Sequence, residues 1–329
     1  MKASQIIKSV NALLDKNIAI FLWGSPGIGK SSIIKQIAKT NQMEFIDLRL
    51  SLLDPTDLKG IPFFDKEKHQ AVWAAPSFLP REGEGILFLD ELNSAPPTVQ
   101  ASAYQLILDR AIGEYTLPEG WKIVAAGNNE DDHGITYKMP APLANRFIHL
   151  QMDLDVDEWC EWAYANNIDY RIISYIRYKN EALFEFESDK KSFATPRSWE
   201  FANRILSSGL QGSVLLETLG GAIGEERATD FLGFVKVASN LPDVEAVFAG
   251  ECEEYPNDDA TLYALSSLLV SGFLANPTNQ RLENLLGYLM NIKPEFSVMS
   301  VQELQRHGID MLESKQFEKW IEKFSYLLS

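Results

Sequence analysis

Short apolar runs alternate with helical patterns through the first half of the chain. Ile18–Trp23, Glu44–Leu48, Ile86–Leu89 and Ile123–Ala126 predict strands, and Phe147–Met152 a fifth, weaker one. Between them, Ser31–Thr40 and Thr98–Asp109 carry the spacing of helices. Ahead of the first strand, Ile6, Ile7, Val10, Leu13 and Leu14 share one face of an amphipathic helix, which reads as a surface helix and not as a signal peptide. Strands alternating with helices predict a parallel sheet covered on both faces. Ligands on such sheets bind at the carboxyl ends of the strands, so motifs at those ends converge even when they are far apart in sequence.

From about Asp153 the texture changes, and helical periodicity runs to the end. Asp157–Asn166 and Tyr170–Phe184 predict helices. Thr195-Pro196-Arg197 opens another, with Thr as N-cap and Pro in the first turn. Thr261–Leu274, Gln280–Met290 and Ser300–Phe324 predict three more. The acidic, turn-rich segment Glu251–Asp259 reads as a loop inside this helical part, with an interaction segment as the alternative. No repeat of fixed period and no low-complexity tract is visible.

Residues Gly24 to Ser31 read Gly-Ser-Pro-Gly-Ile-Gly-Lys-Ser, a full G-x-x-x-x-G-K-[ST] loop between a predicted strand and a predicted helix. A phosphate chain laid there meets backbone N–H groups and the positive end of a helix dipole. Lys30 would reach the β- and γ-phosphates, and the Ser31 hydroxyl would hold Mg²⁺. Ile86–Leu89 ends in Asp90-Glu91. Beside the loop, Asp90 would hold the Mg²⁺ shell and Glu91 would orient the attacking water. Ala125-Ala126-Gly127-Asn128-Asn129 puts an amide after the next strand, with Asn128 the choice for sensing the γ-phosphate or water and Asn129 the alternative. Arg146 precedes the last apolar segment, and Arg197 lies in the first turn of a helix, where the dipole disfavours a cation unless an anion faces it.

Composition narrows the partners. A hydrophobic share of 46% supports a packed core, and a formal net charge of −16 disfavours broad contact with a nucleic-acid backbone. Cys160 and Cys252 are far apart, without metal-ligand spacing, and suggest a reducing compartment. The longest apolar stretch, around Leu265–Ala275, is too short for a membrane span, so a cytoplasmic protein is expected.

The order of motifs resembles the AAA+ ATPases, most closely their MoxR-like branch of the dynein-related type, over about residues 1 to 205. Gly24–Ser31 matches Walker A, Ile86–Glu91 Walker B, Asn128 sensor 1, Arg146 the arginine finger and Thr195-Pro196-Arg197 sensor 2. Asp47–Leu50 with Asp54–Gly60 resembles the branch's segment after the second strand. Asp109–Pro118 resembles the insert for which the family places a hairpin or loop on the ring face, towards the pore. The family's Gln-Asn-Pro is here Gly127-Asn128-Asn129.

The resemblance implies an α/β P-loop NTPase core with a parallel sheet between helices, a helical lid, and an additional helical C-terminal region. The expected boundaries are 1–152, 153–210 and 211–329. It implies ATP and Mg²⁺ as cofactors. Nucleotide contacts fall to Gly24, Ser25, Pro26, Gly27, Ile28, Gly29, Lys30, Ser31, Ser32 and Arg197, and metal contacts to Ser31 and Asp90. Glu91, Asn128 and Arg146 take catalytic roles. A homo-oligomeric ring, taken as a hexamer, would remodel, activate or mature a protein partner, such as one with a von Willebrand A domain. A nucleic-acid motor is the alternative, with Lys59, Lys66, Lys68 and Arg110 as its basic residues. A third reading is a nucleotide-dependent switch with little turnover.

Overall fold

The computed structural model describes the chain apart from residues 68, 130–135, 188–189, 238–240 and 328–329. Lys68 therefore lies outside the described residues. Contacts divide the chain into two compact units, Met1–Asp155 and Val156–Ser329.

In the first unit, α1 (Ala3–Leu14) leads into β1 (Ala19–Trp23), α2 (Lys30–Thr40), β2 (Glu44–Arg49) and α3 (Pro55–Lys59). There follow β3 (Ile61–Asp65), β4 (Gln70–Ala74), β5 (Gly85–Asp90), α4 (Pro97–Asp109), β6 (Ala111–Ile112), β7 (Tyr115–Thr116), β8 (Trp121–Gly127), α5 (Ala141–Ala144) and β9 (Phe147–Gln151). Five parallel strands form one sheet in the order β2-β5-β8-β1-β9. All five strands expected from the apolar runs are present, with ends shifted by one or two residues.

The reason for the continuous apolar runs is burial on both faces. Ile86, Leu87, Phe88 and Leu89 of β5 have no exposed surface. Leu87 and Leu89 belong to the core with Val99, Ala103 and Leu106 of α4, while Phe88 stacks on Phe45 of β2 at 5.8 Å. The central order β5-β8-β1 sets the carboxyl ends of three strands side by side. Leu89 pairs with Ala125, and Trp23 pairs with Gly127.

Two hairpins leave the sheet. β6–β7 occupies the Asp109–Pro118 segment, and it is held to the core by buried Ile112, Tyr115 and Leu117. β3–β4 is antiparallel and was not expected from the sequence. It exposes Ile61, Phe63, Phe64 and Trp73.

The second unit is helical: α6 (Val156–Ala165), α7 (Tyr170–Tyr178), α8 (Pro196–Leu206), α9 (Gly212–Ile223), α10 (Glu225–Val237), α11 (Val244–Ala249), α12 (Asp259–Ala275), α13 (Asn279–Leu289), α14 (Pro294–Arg306) and α15 (Lys315–Phe324). α12 packs against α7 and α14 and buries Leu262, Leu265, Leu269, Val270 and Phe273. Its apolar positions surround the helix, as a central helix requires.

Two expected helices are corrected. Tyr170–Phe184 stops at Tyr178, with a short 3₁₀ turn over Asn180–Leu183. Ser300–Phe324 is two helices, because the chain turns after His307 and Ser314 caps α15 by accepting from the Phe317 N–H. No described helix is long and apolar enough to cross a membrane.

Candidate active site

The loop Gly24–Lys30 joins β1 to α2. Gly29 caps α2 with φ 101° and has no side chain to offer the first turn. A side chain is strained in that left-handed conformation, so glycine fits there. The first-turn N–H groups of a helix have no partner within the helix and point outward with the positive end of the dipole. Such an end takes an anion.

Lys30 is buried and lies back over the loop. Its ammonium donates to the carbonyls of Gly24 (2.5 Å) and Ser25 (3.0 Å) and to Oδ1 of Asn128 (3.1 Å). The strand order explains this last contact, since β8 lies beside β1 and Asn128 follows β8 directly. Ser31 Oγ donates to Asp90 Oδ2 at 2.8 Å. Pro26, Gly27 and Ile28 complete the loop, Ile28 buried and the other two half-buried, while Ser32 is exposed on α2.

The acidic pair ends β5. Asp90 Oδ1 accepts from the Glu91 N–H at 2.9 Å. Glu91 adopts φ 56°, a left-handed conformation uncommon for a residue with a side chain. Strain of this kind persists where the surroundings hold it, and it clusters at functional sites. The Glu91 carboxylate accepts a short hydrogen bond from Ser51 Oγ, just beyond β2. Asp47 of β2 has its pKa raised, first by burial and then by the neighbouring Asp90 carboxylate, with Glu91 adding to it. Asp90 thus meets the Ser31 hydroxyl, with the Asp47 and Glu91 carboxylates near enough for Asp47 to feel both charges. Hard oxygen donors of this type suit Mg²⁺, so Ser31 and Asp90 fit the metal role assigned to them.

The end of β8 is clamped. Asn93 is 1% exposed. Its Nδ2 donates to the Asn128 carbonyl (2.8 Å), and its Oδ1 accepts from the Asn128 N–H (3.1 Å). Asn129 Nδ2 donates to Ser25 Oγ at 3.3 Å and so also reaches the loop. Of the two amides, Asn128 is the one that meets Lys30.

Hydrogen bonds thus join Lys30 to Asn128 and Ser31 to Asp90, and Asp90 in turn accepts from Glu91. Arg146 is exposed and lies immediately before β9, the edge strand, apart from this group. Arg197 belongs to the second unit. There it is exposed in the first turn of α8, behind Thr195, whose Oγ1 accepts from the Ser198 N–H at 3.1 Å.

Ser51, Asp47 and Asn93 were missed as site residues. Asp47 stood in a quoted family segment, but Ser51 and Asn93 read as ordinary loop residues. Nothing local distinguishes them from turn chemistry.

The model of the ATPase family associated with various cellular activities (AAA) matches residues 19–149. That stretch runs from β1 into β9 and holds every residue of the cluster. Protein MoxR of Methylorubrum extorquens is 25% identical over 158 residues, 44% of this chain and 45% of that protein. Protein MoxR of Paracoccus denitrificans is 26% identical over 144 residues, 42% of this chain and 41% of that protein. Midasin of Giardia intestinalis is 27% identical over 193 residues, 55% of this chain and 4% of that protein. The chain thus spans less than half the length of each of these relatives. Among solved structures, a RuvB variant from Thermotoga maritima aligns over 98% of this chain and 88% of its own, at 15% identity and a TM-score of 0.41. At that score the fold rests on the strand order itself. With that order, and with the loop and the acidic pair at neighbouring strand ends, residues 19–149 match the AAA ATPase family model and are similar to the MoxR proteins.

Proposed function

We propose that this chain binds ATP with Mg²⁺ at Gly24–Ser32 and hydrolyses it. The observation that carries this is the meeting of Lys30, Ser31, Asp90 and Asn128 through direct hydrogen bonds across three strand ends. Phosphoryl transfer needs positioning and neutralised charge more than covalent chemistry. Lys30 would exchange its carbonyl partners for β- and γ-phosphate oxygens. Ser31 and Asp90 would hold Mg²⁺, which when bound offsets the phosphate charge. Glu91, released from Ser51, would take hydrogen bonds from the attacking water and orient it. Asn128 would hold the γ-phosphate or that water. Arg146, at the sheet edge, suits a finger offered to a neighbouring subunit, and Arg197 suits a second sensor in a lid of residues 153–210. Residues 211–329 would add a further helical region.

The same reading extends to the assembly. A homo-oligomeric ring, taken as a hexamer, would use the cycle to remodel, activate or mature a protein partner, with a von Willebrand A domain protein as the first candidate. The net charge of −16 suits a protein client better than nucleic acid. Arg110, one of the basic residues a nucleic-acid channel would need, spends its guanidinium on the carbonyls of Pro118 (2.8 Å) and Trp121 (2.7 Å).

The test is nucleotide titration and phosphate release on three proteins. Lys30→Ala should lose ATP binding, and unchanged affinity would count against the loop assignment. Glu91→Gln should bind ATP but release phosphate at least about a hundredfold more slowly, the scale of a lost general base. Normal turnover in Glu91→Gln removes Glu91 from the water-activating role. In the wild type, stimulation by DNA that disappears at high salt would favour the nucleic-acid motor instead.

A further inference from the structure

We infer that Asn93 is a positioning residue for ATP hydrolysis, holding Asn128 and the Glu91 turn as one strip. This rests on the hydrolysis reading above. Asn93 sits on a short 3₁₀ turn, Leu92–Ser94, that begins directly after Glu91. Its side-chain amide meets the Asn128 backbone at two points, as a neighbouring strand would, at 2.8 and 3.1 Å. Its own carbonyl accepts from the Tyr137 N–H at 2.7 Å. The side chain of the clamped residue itself, Asn128, accepts from Lys30. Besides the link through Asp90 and Ser31, a second path from the Glu91 turn to Lys30 thus runs through the Asn93 and Asn128 amides.

Gly127 gives independent support. A Cβ at that position would lie 2.3 Å from Asn93 Oδ1 and 2.7 Å from Phe21 Cζ. Both distances are far inside contact range. The absence of a side chain at Gly127 is what lets the Asn93 amide reach the strand end. The site is 1% exposed at Asn93, so water has little access to replace the amide. Removing it leaves the Asn128 N–H and carbonyl without this partner, at a cost in order as well as stability. Small misplacements of positioning groups lower the chemical step far more than they lower binding.

The experiment is a double-mutant cycle in the full-length chain, with kcat, KM and ATP Kd measured for the wild type, Asn93→Ala, Asn128→Ala and the double variant. Asn93→Ala should lower kcat about tenfold or more while Kd moves by less than about threefold. In the Asn128→Ala background the same change should cost less than about twofold, because Asn93 acts through Asn128. Equal losses in both backgrounds would reduce Asn93 to a structural residue and overturn the inference, as would an Asn93→Ala enzyme with wild-type kcat. If Asn93→Ala does not fold, as read by circular dichroism and thermal unfolding, Asn93→Asp takes its place. It keeps the size and loses the donor, and the same outcomes decide. A wild type that releases no phosphate overturns the hydrolysis reading and this inference with it. Normal wild-type turnover with an indifferent Asn93 overturns this inference alone.

Discussion

Arg177 carries a guanidinium into the helical unit, where its side chain is 7% exposed and that of its partner Glu303 is 2% exposed. They form a short ion pair between α7 and α14, with Asp157 of α6 accepting a further hydrogen bond at 3.2 Å. Burial raises the Glu303 pKa, and Arg177 only partly offsets it. Burial also pushes the nearby Cys160 thiol up to about 12, which leaves it inert as a nucleophile. Removing one partner of such a pair strands the other charge in the core. Arg177→Ala should therefore lower stability by about 3–5 kcal/mol in urea unfolding, and adding Glu303→Leu should recover part of it. The sign with pH follows. Glu303 has a folded pKa above its unfolded value, so protonation favours the folded state. The deficit of Arg177→Ala should narrow as pH falls through the raised carboxyl range. A deficit that widens there would refute the stranded charge as its cause. None of this was legible in the sequence, where Arg177 and Glu303 sit in ordinary helical patterns.

The elements themselves were legible where local chemistry is decisive. The five parallel strands announced themselves as apolar runs because both of their faces are covered. Thr195 and Pro196 announced α8 because a cap and a first-turn proline act within one turn. The β3–β4 hairpin gave no such signal. Its apolar residues point to solvent, so the rule that apolar runs lie inside has nothing to act on. The break between α14 and α15 was missed for a related reason: helical spacing resumes after Ser314 with little change of composition. Caps make a test at this scale. Asp258 caps α12 by accepting from the Thr261 N–H at 2.8 Å. Its burial would raise its pKa, but hydrogen bonds from the Thr261 hydroxyl and backbone outweigh that and lower it. Asp258→Ala should cost about 1 kcal/mol at neutral pH in chemical denaturation. The folded pKa lies below the unfolded one, so the contribution is complete above the ordinary carboxylate pKa. It is lost as pH falls through the lowered value. A difference between the two proteins that persists undiminished in strong acid would mean the cap acts by shape and not charge.

For the whole molecule, the decisive question is whether one chain makes a complete site. Lys30, Ser31, Asp90, Glu91 and Asn128 lie together within the first unit, whereas Arg146 stands exposed before the edge strand. Arg146→Ala alone should be inactive, and mixing it with inactive Lys30→Ala should restore part of the phosphate release through composite sites. An arginine finger contributes about 10³-fold or more, so even partial recovery is readable. Mixtures that stay inactive would assign Arg146 to its own subunit or to the surface. The sequence by itself determined the phosphate loop, the acidic pair, the amide after β8, the five strands and the change to helices. Each is written in a few adjacent residues, and local sterics and burial fix their form. Only the tertiary structure decided that Asn93 clamps Asn128 across 35 residues, that Ser51 meets Glu91 across 40, and that Arg177 meets Glu303 across 126. Those pairings depend on which strands and helices pack side by side, and nothing in the flanking residues of either partner encodes the other.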